Sequence, residues 1–121
     1  MHNVENLKIW KKSIELTKRV YSIVAELPAD EKYGLSSQIK RSCISIPSNI
    51  AEGAGRNTKK EFKHFLSVAN GSSYELQTQL ILTTELNLIG IDRIQCLLDL
   101  TSEVQKMNYS LQNSLDQKSN S

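Results

Sequence analysis

The chain has 121 residues, 39% hydrophobic and 23% charged, with a formal net charge of +2. That length suits one domain with its own core, and that balance excludes a disordered or collagen-like polymer. Two isolated cysteines, two histidines and no apolar run near the ~18–20 residues of a membrane span argue against a disulfide scaffold, a metal knuckle and a transmembrane protein.

The start, MHNVENLKIWKK, lacks the uninterrupted apolar segment of a signal peptide, so a cytoplasmic protein is expected. The first segment, residues 4–27, sets Leu7, Trp10, Ile14, Thr17, Tyr21 and Val24 at steps of 3 and 4, one helical face. Ile9, Leu16, Val20, Ile23 and Leu27 form a second apolar set beside it. A surface helix needs one stripe, so two predict burial in a bundle and again against something else. Asn3 is the expected N-cap and Pro28 the expected stop.

A polar turn, ADEKYG, leads to residues 35–55. There Leu35, Ile39, Ser42 or Cys43, Ile46, Ile50 and Gly53 keep helical spacing straight through Pro47. This predicts one helix bent near Pro47, because proline removes a backbone donor and crowds the carbonyl of Cys43. Ser45, Ser48 and Asn49 are placed to satisfy the groups so freed. Cys43 and Cys96 are expected as buried small hydrophobes.

The third segment, residues 58–86, opens on a capping box, Thr58 with Glu61. Phe62, Phe65 or Leu66, Ala69, Ser73, Leu76, Leu80 and Thr83 follow at helical spacing. Gly71, in the small-residue run NGSS, costs a helix about 1 kcal/mol relative to alanine, which predicts close approach of another helix there. Gly90 and Asp92 mark a turn and a new cap. Residues 92–116 then carry Ile94, Leu97, Thr101, Val104, Asn108, Leu111 and Leu115 as a heptad seam, with Asn108 expected to be locally satisfied or partly exposed. Short connections make successive helices antiparallel. The prediction is an all-α, up-down-up-down antiparallel four-helix bundle, a single domain over 1–121 with a frayed tail at 117–121.

No catalytic constellation emerges. His2 and His64 are distant in sequence, GAGR follows a helix and lacks the Gly-Lys-Ser/Thr of a phosphate loop, and Ser42, Ser45 and Ser48 have no base beside them. Glu52 and Glu75 sit among small or apolar residues, and an ion pair with Arg41 or Arg56 accounts for such acids. No enzyme activity, cofactor or metal is expected.

The charge is uneven: residues 1–64 hold 12 Lys/Arg against 7 Asp/Glu, and residues 65–121 hold 3 against 6. One basic cluster, Arg56, Lys59, Lys60 and Lys63 with His64, falls at the start of the third helix, whose free N–H groups and dipole also favour a phosphate. A second set, Lys8, Lys11, Lys12, Lys18 and Arg19, lies on the first helix, with Lys11, Glu15 and Arg19 at i, i+4 spacing. Trp10 keeps the apolar frame and is expected in the core or an interface.

SIPSNIAEGAGR (45–56), followed by KEFKHFLSVANGSSYELQTQL (60–80), resembles a bacterial four-helix-bundle family: the proteins encoded in intervening sequences of 23S ribosomal RNA genes. LSSQIKRS (35–42) resembles the same family's second helix. Pro47, Asn49, Glu52, Gly53, Gly71 and Glu75 carry the signature. The resemblance implies a ring-like homo-oligomer, with a pentamer as precedent. It also implies kinship to the accessory variability protein of diversity-generating retroelements, a basic pentameric barrel that binds nucleic acid and a reverse transcriptase. By that analogy the expected partners are further copies of the chain, RNA or DNA, and a reverse-transcriptase-like protein, with no membrane. An adaptor that binds only protein is the alternative.

Overall fold

The computed structural model describes residues 2–119. A 3-10 turn at Val4–Asn6 precedes α1, Lys8–Val24; a second 3-10 turn, Ala29–Glu31, leads into α2, Leu35–Ala54; α3 is Lys59–Glu85 and α4 is Ile91–Ser119. No strand forms among the described residues. The first helix is shorter at both ends than its periodicity suggests. Leu7 is extended (φ −78°, ψ 122°) and breaks it, so Asn3 caps the 3-10 turn, its Oδ1 accepting from the Glu5 amide, and does not cap α1. The expected frayed tail lies partly outside the described residues; within them, α4 stays helical through Ser119.

The helices form an up-down-up-down four-helix bundle in which each packs against its two neighbours, and among the described residues no diagonal pair of helix backbones comes into close approach. Side-chain pairs give the antiparallel register of every neighbour pair. Thr17 meets Cys43 and Tyr21 meets Lys40 across α1–α2; Ser42 meets Gln79 and Ser45 meets Ser72 across α2–α3. Gln77 meets Gln105 and Lys63 meets Asp116 across α3–α4; Lys12 meets Glu103 and Glu26 meets Arg93 across α1–α4.

The core follows the helical spacing closely on α2, α3 and α4. Ile39, Cys43, Ile46 and Ile50 meet Phe62, Leu66, Ala69, Leu76 and Leu80, with Ile94, Leu97, Val104 and Leu115 closing the seam. Each Val, Leu, Ile and Phe side chain among them contributes about 1.5–3 kcal/mol through apolar burial. On α1 the core face is Ile9, Leu16, Val20 and Val24 with the buried hydroxyl of Ser13, while Trp10, Ile14 and Thr17 are half-buried and Tyr21 is exposed. Most of the second apolar set thus fills the core together with Val24 of the first, while Thr17 and Tyr21 of the first meet α2.

The close approach expected at Gly71 is absent, while the close packing expected at Gly53 is present. Gly71 is exposed, and a Cβ there would meet nothing within 4 Å. The close helix approach occurs at Gly53, where a Cβ would lie 2.8 Å from Phe65 Cβ and 3.1 Å from the Phe62 carbonyl oxygen. Asn108 also departs from expectation. It is 2% exposed, its Nδ2 donates to the Leu66 carbonyl of α3 (2.8 Å), and its Oδ1 accepts from Gln112 Nε2 (2.6 Å). It therefore ties α4 to one register on α3.

α2 runs unbroken through Pro47. The carbonyl that position 47 cannot reach belongs to Cys43, and Thr17 Oγ1 of α1 donates to it (3.2 Å) while also reaching Ser13 O (2.8 Å). The serines and asparagine assigned to that task work elsewhere. Asn49 Nδ2 donates to the Ser45 carbonyl and to Ser45 Oγ (2.8 and 2.9 Å), which holds the Ser45–Ser72 hydroxyl pair (2.7 Å) between α2 and α3, and Ser48 is exposed. Beyond the last turn of α3, Asn87 takes a positive φ, 57°, the one non-glycine residue to do so among the described residues. The Leu88 amide donates to Thr83 O and the Asn87 amide to Thr84 O, the paired bonds of a Schellman ending. The αL residue of that turn is Asn87, and Asp92 lies inside the first turn of α4 instead of capping it.

Candidate nucleic-acid interface

The uneven charge along the chain becomes an uneven charge along the bundle. The His2 amide donates to the Ala54 carbonyl (2.8 Å) and the His2 ring lies 4.9 Å from that of Phe62, so the chain's start packs on the α2–α3 turn. Lys8, Lys11, Lys12, Arg56, Lys59, Lys60 and Lys63 therefore share one end. The opposite end holds Glu26, Asp30, Glu31, Glu85 and Asp92, with Lys32 and Arg93 among them. Lys18 lies seven residues beyond Lys11, about 10 Å further along α1, and does not join the basic end.

Within that end the cations differ in how much of their charge is already matched. Arg56 Nη2 meets Glu52 Oε1 at 2.6 Å and Nη1 meets Glu61 Oε2 at 3.6 Å, while its guanidinium sits 4.9 Å above the Phe65 ring. Lys63 is paired with Asp116, and Lys12 lies 3.6 Å from Glu15 and 3.9 Å from Glu103. Lys12, not Lys11, thus joins the Glu15–Arg19 ladder, whose second rung is 3.2 Å. Lys8, Lys11, Lys59 and Lys60 are exposed and have no ion pair among the described residues. Lys59 and Lys60 occupy the first turn of α3. Thr58 Oγ1 accepts from the Glu61 amide there (3.1 Å) and donates to Glu61 Oε1 (3.0 Å), a variant of the anticipated capping box. His64 is exposed and edge-on to Phe65 at 5.1 Å.

The acids of the signature do not converge. Glu52 is exposed and paired with Arg56, as the spacing allowed; Glu75 is exposed on α3 with no ion pair among the described residues, and Arg41 serves neither. Pro47 and Gly53 are buried, Asn49 braces Ser45, and Gly71 and Glu75 line a shallow groove with Tyr74 and Leu82. The signature is thus chiefly an α2–α3 packing device. No group of three His, Cys, Asp or Glu among the described residues could hold a metal ion. Burial pushes the Cys43 thiol up to about 11, whereas Cys96 is exposed, contrary to its expected burial. No helix is long and apolar enough to cross a membrane among the described residues.

Sequence reasoning missed the acids that neutralise Lys63 and Lys12, because Asp116 and Glu103 become neighbours only through antiparallel register. It also missed Thr17. A hydroxyl in an apolar stripe, on a helix that must face a proline-containing one, was the available signal.

Residues 5–110 match the model of the 23S rRNA-intervening sequence protein family. The fold is similar to a crystal structure from Bacteroides thetaiotaomicron, a protein with unknown function from the S23 ribosomal protein family. That likeness has a TM-score of 0.80 and 25% identity over 86% of this chain and 97% of that one. No curated protein matches the chain. A family match over most of the length, joined to the same helical bundle, places the chain among the 23S rRNA-intervening sequence proteins.

Proposed function

We propose that this chain is a non-catalytic, self-associating bundle that binds RNA or DNA at its basic end. The observation that carries the reading is the convergence of Lys8, Lys11, Lys59 and Lys60 at one end, exposed and without ion pairs among the described residues. Phosphate contacts by such lysines release counterions, so affinity is salt-dependent. Arg56, Lys63 and Lys12 contribute only by exchanging a carboxylate for a phosphate. Lys18 is peripheral. Exposed Ile44, Val68, Leu82 and Leu86 supply apolar surface for self-association, and the family resemblance supports a pentameric ring. Five copies would multiply a weak basic end by avidity.

Binding of duplex RNA and DNA across a salt titration tests this. Lys59→Glu with Lys60→Glu lowers the salt slope by about 2 for each copy that touches the duplex. Absence of binding at low ionic strength refutes the nucleic-acid reading, and a one-chain mass by light scattering refutes the ring. The same exposed apolar side chains favour a second reading, an adaptor for a protein such as a polymerase-like partner. It predicts salt-insensitive capture of protein and no co-purified nucleic acid.

A further inference from the structure

A polar groove runs between α3 and α4, away from the lysines of the first turn of α3. It has a volume of about 380 Å³, and its walls include Asn70, Tyr74, Gln105, Tyr109, Gln112 and Asn113. Asn70 and Tyr74 are four residues apart on α3; Gln105, Tyr109, Gln112 and Asn113 follow helical spacing on α4. The two tyrosines also line the adjoining depression, where Lys106 sits.

Three features set this groove apart from an ordinary polar seam. Tyr74 and Tyr109 are 54% and 71% exposed, so their ring faces are open to a ligand. The amides are held from behind. Gln105 Nε2 donates to Gln77 Oε1 (3.0 Å) and Gln112 Nε2 to Asn108 Oδ1 (2.6 Å), while the oxygens of Gln105 and Gln112 accept no bond among the described residues. Each therefore keeps a free acceptor in a fixed position. Lastly, the carboxylate in the wall, Asp116, is matched by Lys63 at one end, while Lys106 at the other is exposed and without an ion pair among the described residues.

Open aromatic faces beside fixed amide edges, with the unpaired Lys106 at one end, match a planar heterocycle on a phosphate chain. Bases stack on tyrosine and present donor and acceptor edges that asparagine and glutamine amides complement. We propose that the α3–α4 groove binds unpaired nucleobases of a single-stranded nucleic acid, with Tyr74 and Tyr109 as stacking platforms and Lys106 as a phosphate contact. A duplex hides its base faces and cannot use this groove. This deepens the nucleic-acid reading and rests on it, but the surface differs from the lysine end.

Fluorescence anisotropy of a labelled oligouridylate, its DNA counterpart and a duplex of equal length separates the two surfaces. Tyr74→Leu and Tyr109→Leu each weaken both single strands by about 5- to 150-fold, and neither alters the duplex. Lys59→Glu with Lys60→Glu weakens all three. Tyr109→Trp retains single-strand affinity. Both tyrosines are exposed, and an unchanged thermal transition confirms that the leucine variants fold. A photoreactive bromouracil oligonucleotide cross-links to Tyr74 or Tyr109. Single-strand affinity indifferent to the tyrosines, with the lysine effect intact, overturns this proposal and spares the basic-end reading. Absence of binding by all three probes overturns both. Binding of cellopentaose that the tyrosine variants abolish, with no oligonucleotide response, assigns the groove to sugar and also overturns it.

Discussion

The sharpest structural test substitutes one residue type at two places. Gly53→Ala and Gly71→Ala make the same chemical change within helices, so intrinsic propensity alone stabilises both by about 1 kcal/mol. The surroundings differ. At position 71 nothing lies within 4 Å of the new methyl group, so the propensity gain stands. At position 53 the methyl would lie 2.8 Å from Phe65 Cβ and 3.1 Å from the Phe62 carbonyl. Carbon pairs prefer at least about 3.5 Å, so α2 and α3 must part by roughly 0.7 Å. Neither neighbouring atom can rotate away, because one is a Cβ and the other is backbone. Overpacking of this kind costs about 1–3 kcal/mol, and a cost in the upper half of that range minus the propensity gain leaves Gly53→Ala about 1–2 kcal/mol less stable than wild type. The two variants should therefore differ by about 2–3 kcal/mol. Urea unfolding followed by circular dichroism reads this as midpoints moving in opposite directions at unchanged m. In thermal unfolding the separation is roughly 8–12 °C, since about 1 kcal/mol corresponds to about 4 °C for a chain of this length. A Gly53→Ala variant as stable as wild type would refute the close approach, and equal shifts for both would mean that propensity alone governs.

Other expectations follow from named contacts. Thr17→Val leaves the Cys43 carbonyl without its donor and costs about 1–2 kcal/mol; with Pro47→Ala present, the restored N–H at position 47 takes over. The double-mutant cycle should thus show coupling near 1 kcal/mol, and strict additivity would refute the link. Asn108→Leu is near neutral, because Leu66 O keeps its helical bond and Gln112 can turn to water. Asn108→Asp sets a buried carboxylate against that carbonyl and costs at least about 2–3 kcal/mol by chemical denaturation; equal costs for both would overturn the assignment. A thiol reagent should titrate Cys96 in the native protein and Cys43 only after unfolding. Because burial raises Cys43 from 9.0 to about 11, its protonated form stabilises the fold fully below pH 9, and the stabilisation fades as pH rises through 11. The stability gap between wild type and Cys43→Ala should shrink by about 2–3 kcal/mol across that window.

Periodicity alone makes most of the fold legible. The core positions of α2, α3 and α4 obey it because those helices are buried along one stripe, and the Thr58–Glu61 box marks the start of α3 by local chemistry alone. What periodicity cannot supply is the rotation of a helix with two apolar stripes. On α1, choosing between the Trp10 stripe and the Leu16 stripe needs the position of α2. Gly71 failed for a related reason: a glycine in a small-residue run announces space, but only the neighbouring helix decides whether the space is used, and at Gly71 no helix arrives. At the basic end, the lysines were visible as a cluster. Which of them keep an unmatched charge depended on Asp116 and Glu103, acids more than 50 residues away in the chain.

The polarised ends have a consequence for how the molecule orients itself. With a net charge of only +2, the chain should behave as nearly neutral in bulk electrophoresis. Yet positive groups gathered at one tip and negative groups at the other give it a permanent dipole moment along the bundle axis. A cation-exchange resin would hold it tip-first and release it at higher salt than its net charge implies. On any polyanionic surface each copy would stand upright, acidic tip outward.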